Sequence, residues 1–217
     1  MSEGTTLVKI CGVRSLEAAQ AAVDAGADLL GFICYPPARR YVRPAQITAI
    51  LAGLQGRSTV RAVGVFVNQS VEDMNDVAAA CGLDLIQLSG DEPMDVIKML
   101  NRPAIKAFRP EATYADSRRY ALWAHTGRLY AALLEPSEAG WGGAGTALDW
   151  RFARAVTDMP ARPPVFLAGG LTPETVGAAI AAVRPDGVDV SSGVETNGAQ
   201  DRARIAAFVA AAKGATE

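Results

Sequence analysis

Short apolar segments alternate with longer amphipathic ones along the whole chain. The apolar segments predict eight strands, at 7–11, 29–33, 62–67, 85–88, 104–108, 130–134, 164–168 and 187–191. The amphipathic segments predict eight helices, at 15–25, 44–54, 70–81, 93–100, 115–124, 149–156, 173–182 and 200–212. A strand followed by a helix therefore repeats along the chain, with units of about 25 residues that are long enough for a parallel crossover.

Eight such units favour a closed barrel over an open sheet. The predicted fold is α/β, a single-domain (β/α)8 TIM barrel over residues 1–217, because no linker, low-complexity tract or second domain interrupts the pattern. Two helix starts are marked by local signals. Ser70 precedes Asp73 as an N-cap, and Pro173 follows Thr172 as the first helical residue.

Side chains alternate between the two faces of a strand, so the pattern also predicts which residues face the barrel axis. In the first strand these are Lys9 and Cys11, and in the last they are Asp189 and Ser191. The first and last strands are neighbours in a closed barrel. We therefore predict a buried ion pair between Lys9 and Asp189, since neither charge tolerates burial alone.

Composition narrows the class of protein. The net charge of −2 creates no field that favours nucleic acid or an anionic membrane. Three scattered cysteines and one histidine argue against a disulfide framework and a structural zinc site. No signal peptide is visible, and no apolar run approaches about 20 residues. We expect a soluble, cytoplasmic protein without a metal, a membrane or a nucleic acid as partner.

Cys11 has two interpretations. It is either a small buried hydrophobe or a general base at the carboxyl end of its strand, one layer above Lys9. A neighbouring cation lowers the pKa of a thiol from its usual value of about 8.5, which favours the second interpretation.

Glu135 ends the sixth strand on the inward side and also has two interpretations. It is a general acid if burial raises its pKa, or a solvated loop carboxylate. The same parity turns Gln87 and Ser89 inward on the fourth strand.

Residues that could bind an anion lie in the loops after several strands. Glycine-rich segments at 140–145, 168–174 and 191–195 offer backbone N–H groups, although glycines also serve tight turns. Arg39 and Arg40 follow the second strand, where an arginine is either solvated or placed to hold a carboxylate with two N–H groups.

Specific motifs occur in order over nearly the whole chain: "KICG" at 9–12, "IQLSGDE" at 86–92, "GWGGAGTALDW" at 140–150, "LAGGLTPETV" at 167–176 and "DVSSGVE" at 189–195. With them the chain resembles the phosphoribosylanthranilate isomerase family, (β/α)8 enzymes of tryptophan biosynthesis. The resemblance implies a small-molecule substrate, N-(5-phosphoribosyl)anthranilate. It also implies an Amadori rearrangement that needs neither metal nor cofactor.

The resemblance also implies roles for particular residues. Cys11 is the general base, Glu135 stands at the position of the general acid, and Arg40 binds the anthranilate carboxylate. The ion pair of Lys9 and Asp189, which strand parity predicts, is expected to support this site. The glycine-rich loops bind the phosphate group. The candidate residues are Gly142, Gly143, Gly145, Gly169, Gly170, Ser191, Ser192 and Gly193.

Two positions depart from the family pattern. The family has aspartate where this chain has Glu135, and usually histidine where this chain has Ser89. Two other functions therefore stay open: a related barrel isomerase for another phosphorylated aminoaldose, and a non-catalytic barrel that binds a phosphosugar.

Overall fold

The computed structural model describes residues 5–109, 120, 122–123, 126–136 and 149–215. In this part of the chain eight parallel strands close into a barrel, each paired with its sequence neighbour and β8 paired with β1. The predicted strand ends are correct to within one residue. The strands are β1 (Leu7–Cys11), β2 (Leu29–Ile33), β3 (Arg61–Phe66), β4 (Leu85–Leu88), β5 (Ala104–Phe108), β6 (Leu129–Leu134), β7 (Val165–Leu167) and β8 (Gly187–Val190).

Helices lie between these strands, as the pattern predicts. The helix predicted at 115–124 falls largely outside the described residues. The described helices are α1 (Leu16–Asp24), α2 (Pro44–Gly53), α3 (Val71–Cys81), α4 (Val96–Met99), α5 (Trp150–Thr157), α6 (Val176–Val183) and α7 (Arg202–Gly214). None of these helices is both long and apolar enough to cross a membrane.

The ends of α3 follow from their sequence. The Ser70 hydroxyl accepts a hydrogen bond from the backbone N–H of Asp73, at 3.0 Å, as expected of an N-cap. The helix ends at Cys81, where Gly82 adopts the left-handed conformation that glycine takes without steric cost.

Two other helices begin about one turn later than the sequence predicts. The N–H of Val96 donates to the carbonyl of Pro93, and the N–H of Thr175 donates to the carbonyl of Thr172. Bonds to the third residue back close a tighter turn than an α-helix. Pro173 therefore lies in the turn before α6, and its predicted place as the first residue of that helix is wrong.

Two apolar layers hold the barrel together. The inner layer fills the barrel axis and consists of Leu29, Val63, Leu85, Ile105, Ala107, Ala131, Leu133, Phe166 and Ala168. The outer, larger layer packs the helices against the strands and includes Val8 and Ile10 of β1. Side-chain parity in β1 is thus as predicted, and the β1–β8 register places Lys9 directly opposite Asp189.

A short hairpin follows β8. Its strands are β9 (Glu195–Thr196) and β10 (Ala199–Gln200), which pair antiparallel. Both turn residues, Asn197 and Gly198, have positive φ, as tight two-residue hairpin turns require. The hairpin lies against the loops after β1 and β2, because Arg14 donates to the Gly198 carbonyl and Arg40 donates to the Glu195 carboxylate. Gln200 of the hairpin also donates to the Cys11 carbonyl.

Candidate active site

A pocket opens at the carboxyl ends of the strands, the end of such barrels where active sites lie. Most of the residues that line it belong to strand ends or to the loops that follow them. They are Cys11, Ile33, Tyr35, Ala38, Arg40, Val65, Val67, Gln87, Ser89, Arg109, Glu135, Ala168, Gly169, Gly170, Asp189, Ser191 and Ser192. Of the predicted candidates, the pocket therefore brings together Cys11, Glu135, Arg40 and the candidates after β7 and β8 other than Gly193.

The predicted ion pair lies at the base of this pocket. Lys9 Nζ donates to Asp189 Oδ1 at 2.7 Å, and the side chain of Lys9 is fully buried. Burial acts to lower the pKa of Lys9, but Asp189 and Cys11 outweigh it and raise that pKa above its usual value. Lys9 is therefore a permanent cation beneath the pocket.

Cys11 ends β1 inside the barrel, beside Gly31 of β2. A Cβ atom on Gly31 would lie 2.8 Å from the Cys11 sulfur and 3.1 Å from Lys9 Nζ, so only glycine leaves room for both groups. The prediction that the pKa of Cys11 is lowered is wrong. Burial raises the pKa of the thiol and outweighs Lys9, whose charge is also offset by Asp189.

Glu135 follows β6 and faces the same pocket. Its backbone N–H donates to the Phe108 carbonyl at 3.0 Å, which continues the β5–β6 ladder. Its Oε1 lies 2.5 Å from Nη2 of Arg109, the residue that follows β5. Burial raises the pKa of Glu135, and Arg109 opposes this rise. The raised pKa is the property that a general acid near neutral pH needs.

Arg40 lines the pocket, whereas Arg39 is 59 % exposed. Nε and Nη2 of Arg40 donate to the two carboxylate oxygens of Glu195 at 2.6 and 3.0 Å, and Arg39 adds a bond of 2.8 Å. These bonds, first of all those from Arg40, hold the pKa of Glu195 at about 2. Glu195 in the hairpin thus fixes the guanidinium of Arg40 at the edge of the pocket.

The candidates for an anion after β7 and β8 divide into two groups. Gly169 and Gly170 line the pocket with positive φ, and Ser191 and Ser192 lie beside them. Gly193 does not line the pocket; a Cβ there would lie 1.8 Å from the Leu171 carbonyl oxygen, so this glycine permits close packing of two loops. The remaining candidates, Gly142, Gly143 and Gly145, lie outside the described residues.

Three buried polar atoms of the pocket have no hydrogen-bond partner among the described residues, namely Gln87 Oε1, the Ser191 hydroxyl and Glu135 Oε1. Gln87 donates from its amide nitrogen to the Ser89 hydroxyl at 2.9 Å, so both residues face inward as predicted. The contact of Glu135 Oε1 with Arg109 is an ion pair that lacks hydrogen-bond geometry. Buried polar atoms are normally paired, so solvent or a polar group of a ligand can bond to these atoms.

Three residues of the site were missed by sequence reasoning. Arg109 follows its strand as Glu135 does, so the same parity could have found it. Gly31 could have been found from its register opposite Cys11, which depends only on the pairing of β1 with β2. Glu195 carries no such signal, since its contact with Arg40 joins two loops.

The pocket has two chemically distinct sides. On the side of β2 and β3, apolar groups from Ile33, Tyr35, Val65 and Val67 lie near Arg40, which suits a flat apolar ring that carries a negative charge. On the side of β7 and β8, backbone N–H groups and two serines suit a phosphate. No cluster of three His, Cys, Asp or Glu side chains placed to hold a metal occurs in the described part of the chain.

This closed barrel, with an ionisable thiol and an ionisable carboxyl in one pocket, defines a (β/α)8-barrel enzyme for a small anionic substrate. The family model for N-(5'-phosphoribosyl)anthranilate isomerase matches residues 8–211. The chain belongs to that family, as its motifs predict.

Individual relatives agree with this assignment. The chain is 44 % identical to the N-(5'-phosphoribosyl)anthranilate isomerase of Roseiflexus castenholzii, over 96 % of this chain and 99 % of the relative. The crystal structure of phosphoribosyl anthranilate isomerase from Thermotoga maritima is similar with a TM-score of 0.86 and 37 % identity, covering 96 % of this chain and 99 % of that one. A solved phosphoribosyl anthranilate isomerase in complex with reduced 1-(o-carboxyphenylamino)-1-deoxyribulose 5-phosphate has a TM-score of 0.82 and 35 % identity, with the same coverage.

Proposed function

We propose that this chain is the isomerase that converts N-(5'-phosphoribosyl)anthranilate to 1-(2-carboxyphenylamino)-1-deoxyribulose 5-phosphate in tryptophan biosynthesis. The observation that carries the proposal is the placement of Cys11 and Glu135 in one pocket, between a cationic apolar side and a side rich in backbone donors. The substrate has the matching parts: an aromatic carboxylate at one end, a phosphate at the other and a sugar between them.

The reaction begins with proton transfer from Glu135. The O–H bond of the acid breaks, its proton passes to the furanose ring oxygen, and the electrons of the C1′–O bond move to that oxygen. The ring opens to a protonated Schiff base, and Glu135 is left as a carboxylate. Cys11, as a thiolate, then removes the C2′ proton to give an enolamine, which tautomerises to the ketone.

The raised pKa of Cys11 affects this second step in two ways. A thiolate with a higher pKa is a stronger base, but a smaller fraction of the thiol is ionised at neutral pH. Lys9 beneath the sulfur opposes the effect of burial and so favours the ionised form. Arg40 holds the anthranilate carboxylate, and Gly169, Gly170 and Ser192 hold the phosphate.

The proposal is tested by complementation of a tryptophan auxotroph that lacks this isomerase, together with turnover of the purified protein. We expect growth, and we expect Cys11→Ala and Glu135→Gln each to lower kcat by about 10²–10⁴ while binding of a product analogue changes less than about tenfold. Glu135→Asp, which keeps the carboxyl, should stay within about tenfold of the parent in either direction. Cys81→Ala is the matched control, because Cys81 is a buried thiol outside the pocket.

Two other outcomes would contradict the proposal. Binding of the product analogue without any turnover would indicate a non-catalytic phosphosugar-binding barrel. Faster turnover of an aminoimidazole-carboxamide aminoaldose than of phosphoribosylanthranilate would indicate the related isomerase. The cytoplasmic location, the absence of a cofactor and the absence of a nucleic-acid partner stay predictions.

A further inference from the structure

Arg109 occupies a fixed position beside the acid of the proposed reaction. Phe108 of β5 pairs with Leu134 of β6, so the residues that follow them, Arg109 and Glu135, leave the barrel side by side. Both side chains are only about one-fifth exposed, at 21 and 23 %, and both line the pocket. The contact between Nη2 and Oε1 at 2.5 Å is therefore a consequence of strand register and lies within the site.

The other charged groups near Glu135 already have close partners. Lys9 contacts Asp189, and Lys106 contacts Glu92, each pair at 2.7 Å. Asp189 acts on Glu135 as a like charge and works to raise its pKa, while Lys9 and Lys106 work to lower it by less than Arg109 does. Across the pocket lies Cys11, a thiol with a raised pKa. Among the described residues, Arg109 is thus the cation in direct contact with the acid.

A guanidinium in contact with an acid has a specific effect on proton transfer. It does not titrate in the accessible pH range, so it stabilises the carboxylate and not the protonated form. We propose that Arg109 is a positioning residue for catalysis, which orients the Glu135 carboxyl and stabilises the carboxylate that remains after the ring oxygen is protonated. This inference rests on the proposed function.

The contact also explains how a longer acid can serve the site. Glutamate has one more methylene than aspartate, and its carboxyl therefore has more conformational freedom. An ion pair with Arg109 restricts that freedom and holds the carboxyl within the pocket. A misplacement of about 1 Å costs about 10²-fold in rate, so loss of this restriction should lower the rate measurably.

The test compares Arg109→Gln with Arg109→Lys. Removal of the charge raises the pKa of Glu135 further, so the acid stays protonated to higher pH. For Arg109→Gln we expect the limb of the kcat profile that is set by Glu135 to move to higher pH, while the maximal kcat falls about 10–100-fold because the acid is weaker and less well placed. Arg109→Lys keeps a cation, and its Glu135 limb should stay close to that of the parent protein.

Arg61→Gln is the control, since Arg61 lies at the start of β3 over the Tyr130 ring, at the opposite end of the barrel. Binding of reduced 1-(o-carboxyphenylamino)-1-deoxyribulose 5-phosphate verifies that each variant is folded. An Arg109→Gln profile with unchanged limb position would overturn the inference, whether kcat falls or not. Full activity of Glu135→Gln would instead overturn the acid assignment, and the two failures are therefore distinguishable.

Discussion

Two buried lysine–carboxylate pairs in this barrel have the same chemistry and opposite surroundings. The inner pair, Lys9–Asp189, faces the barrel axis, and its carboxylate lines the pocket. The outer pair, Lys106–Glu92, lies beneath the loop that follows β4, and each of its side chains is at most 2 % exposed. Both have N–O distances of 2.7 Å.

The outer pair is surrounded by further bonds to the backbone. Glu92 accepts hydrogen bonds from the N–H groups of Asn68 and Gly90, while Lys106 donates to the Gly90 carbonyl and lies 5.5 Å from the centre of the Trp123 ring. This pair connects the loops after β3 and β4 to β5. We infer that the outer pair, which backbone groups saturate, stabilises the fold, whereas the inner pair, whose carboxylate faces the pocket, also supports the proposed reaction.

Replacement of either lysine alone should have the largest effect. Lys9→Met and Lys106→Met should each cost about 3–5 kcal/mol in the free energy of unfolding, because a buried carboxylate is left unpaired. The kcat of Lys9→Met should also fall by about 10²-fold or more, since the cation beneath Cys11 is lost. The kcat of folded Lys106→Met should stay within about tenfold. Denaturant unfolding and steady-state kinetics provide the two measurements.

A double replacement keeps this test informative if a single variant does not fold. Lys9→Met with Asp189→Leu removes both charges and should recover most of the lost stability, as apolar replacements of buried pairs often do. Activity should not recover with it. Recovery of both would mean that the inner pair is structural, like the outer one.

Gly31→Ala tests how tightly the inner pair and the thiol are packed. The new Cβ would lie 2.8 Å from the Cys11 sulfur, so the sulfur must move, and we expect a loss of about 10²-fold in kcat. Gly177→Ala in α6 is the matched control, because its Cβ would lie 4.0 Å from the nearest atom and alanine favours a helix. Equal kinetics for the two variants would show that Cys11 is not the base or is not held in place.

Arg40→Ala and Arg39→Ala compare the two arginines that share Glu195. Arg40 faces the pocket and Arg39 faces solvent, so Arg40→Ala should raise KM for the carboxylate substrate about tenfold or more, and Arg39→Ala by less than about threefold. The kcat of both should change less than KM. Equal and small effects on KM would place the substrate carboxylate elsewhere.

The smallest expected effect is on acid stability. Burial acts to raise the pKa of Glu92, but Lys106 and backbone N–H donors outweigh it, so that pKa lies below its usual value. A lowered pKa contributes stability above the unfolded-state pKa of about 4.3, and this contribution is lost as the pH falls through the folded-state pKa. Glu92→Gln should therefore flatten the stability profile below about pH 4.3, by about 1.4 kcal/mol for each unit of pKa shift. Asp76→Asn, at an exposed position of α3, should leave the profile unchanged.

The sequence predicts the inner pair but not the outer one, for a physical reason. Parity and barrel closure suffice to bring Lys9 to Asp189, because both lie on strands with known neighbours. Glu92 lies on a loop, and no periodicity predicts the path of a loop. The direction of the Cys11 pKa shift was wrong for a related reason: sequence reveals a neighbouring lysine, but not the depth of burial that outweighs it.

The hairpin at 195–200 has a consequence for engineering this barrel. It holds Arg40 through Glu195 and the Cys11 carbonyl through Gln200, although Arg40 follows β2 and Cys11 ends β1. Transplanting the loop after β2 into another barrel would carry the arginine without the carboxylate that orients it. The loops after β2 and β8 therefore act as one structural unit. A design that transfers substrate preference to another barrel should transplant both loops together.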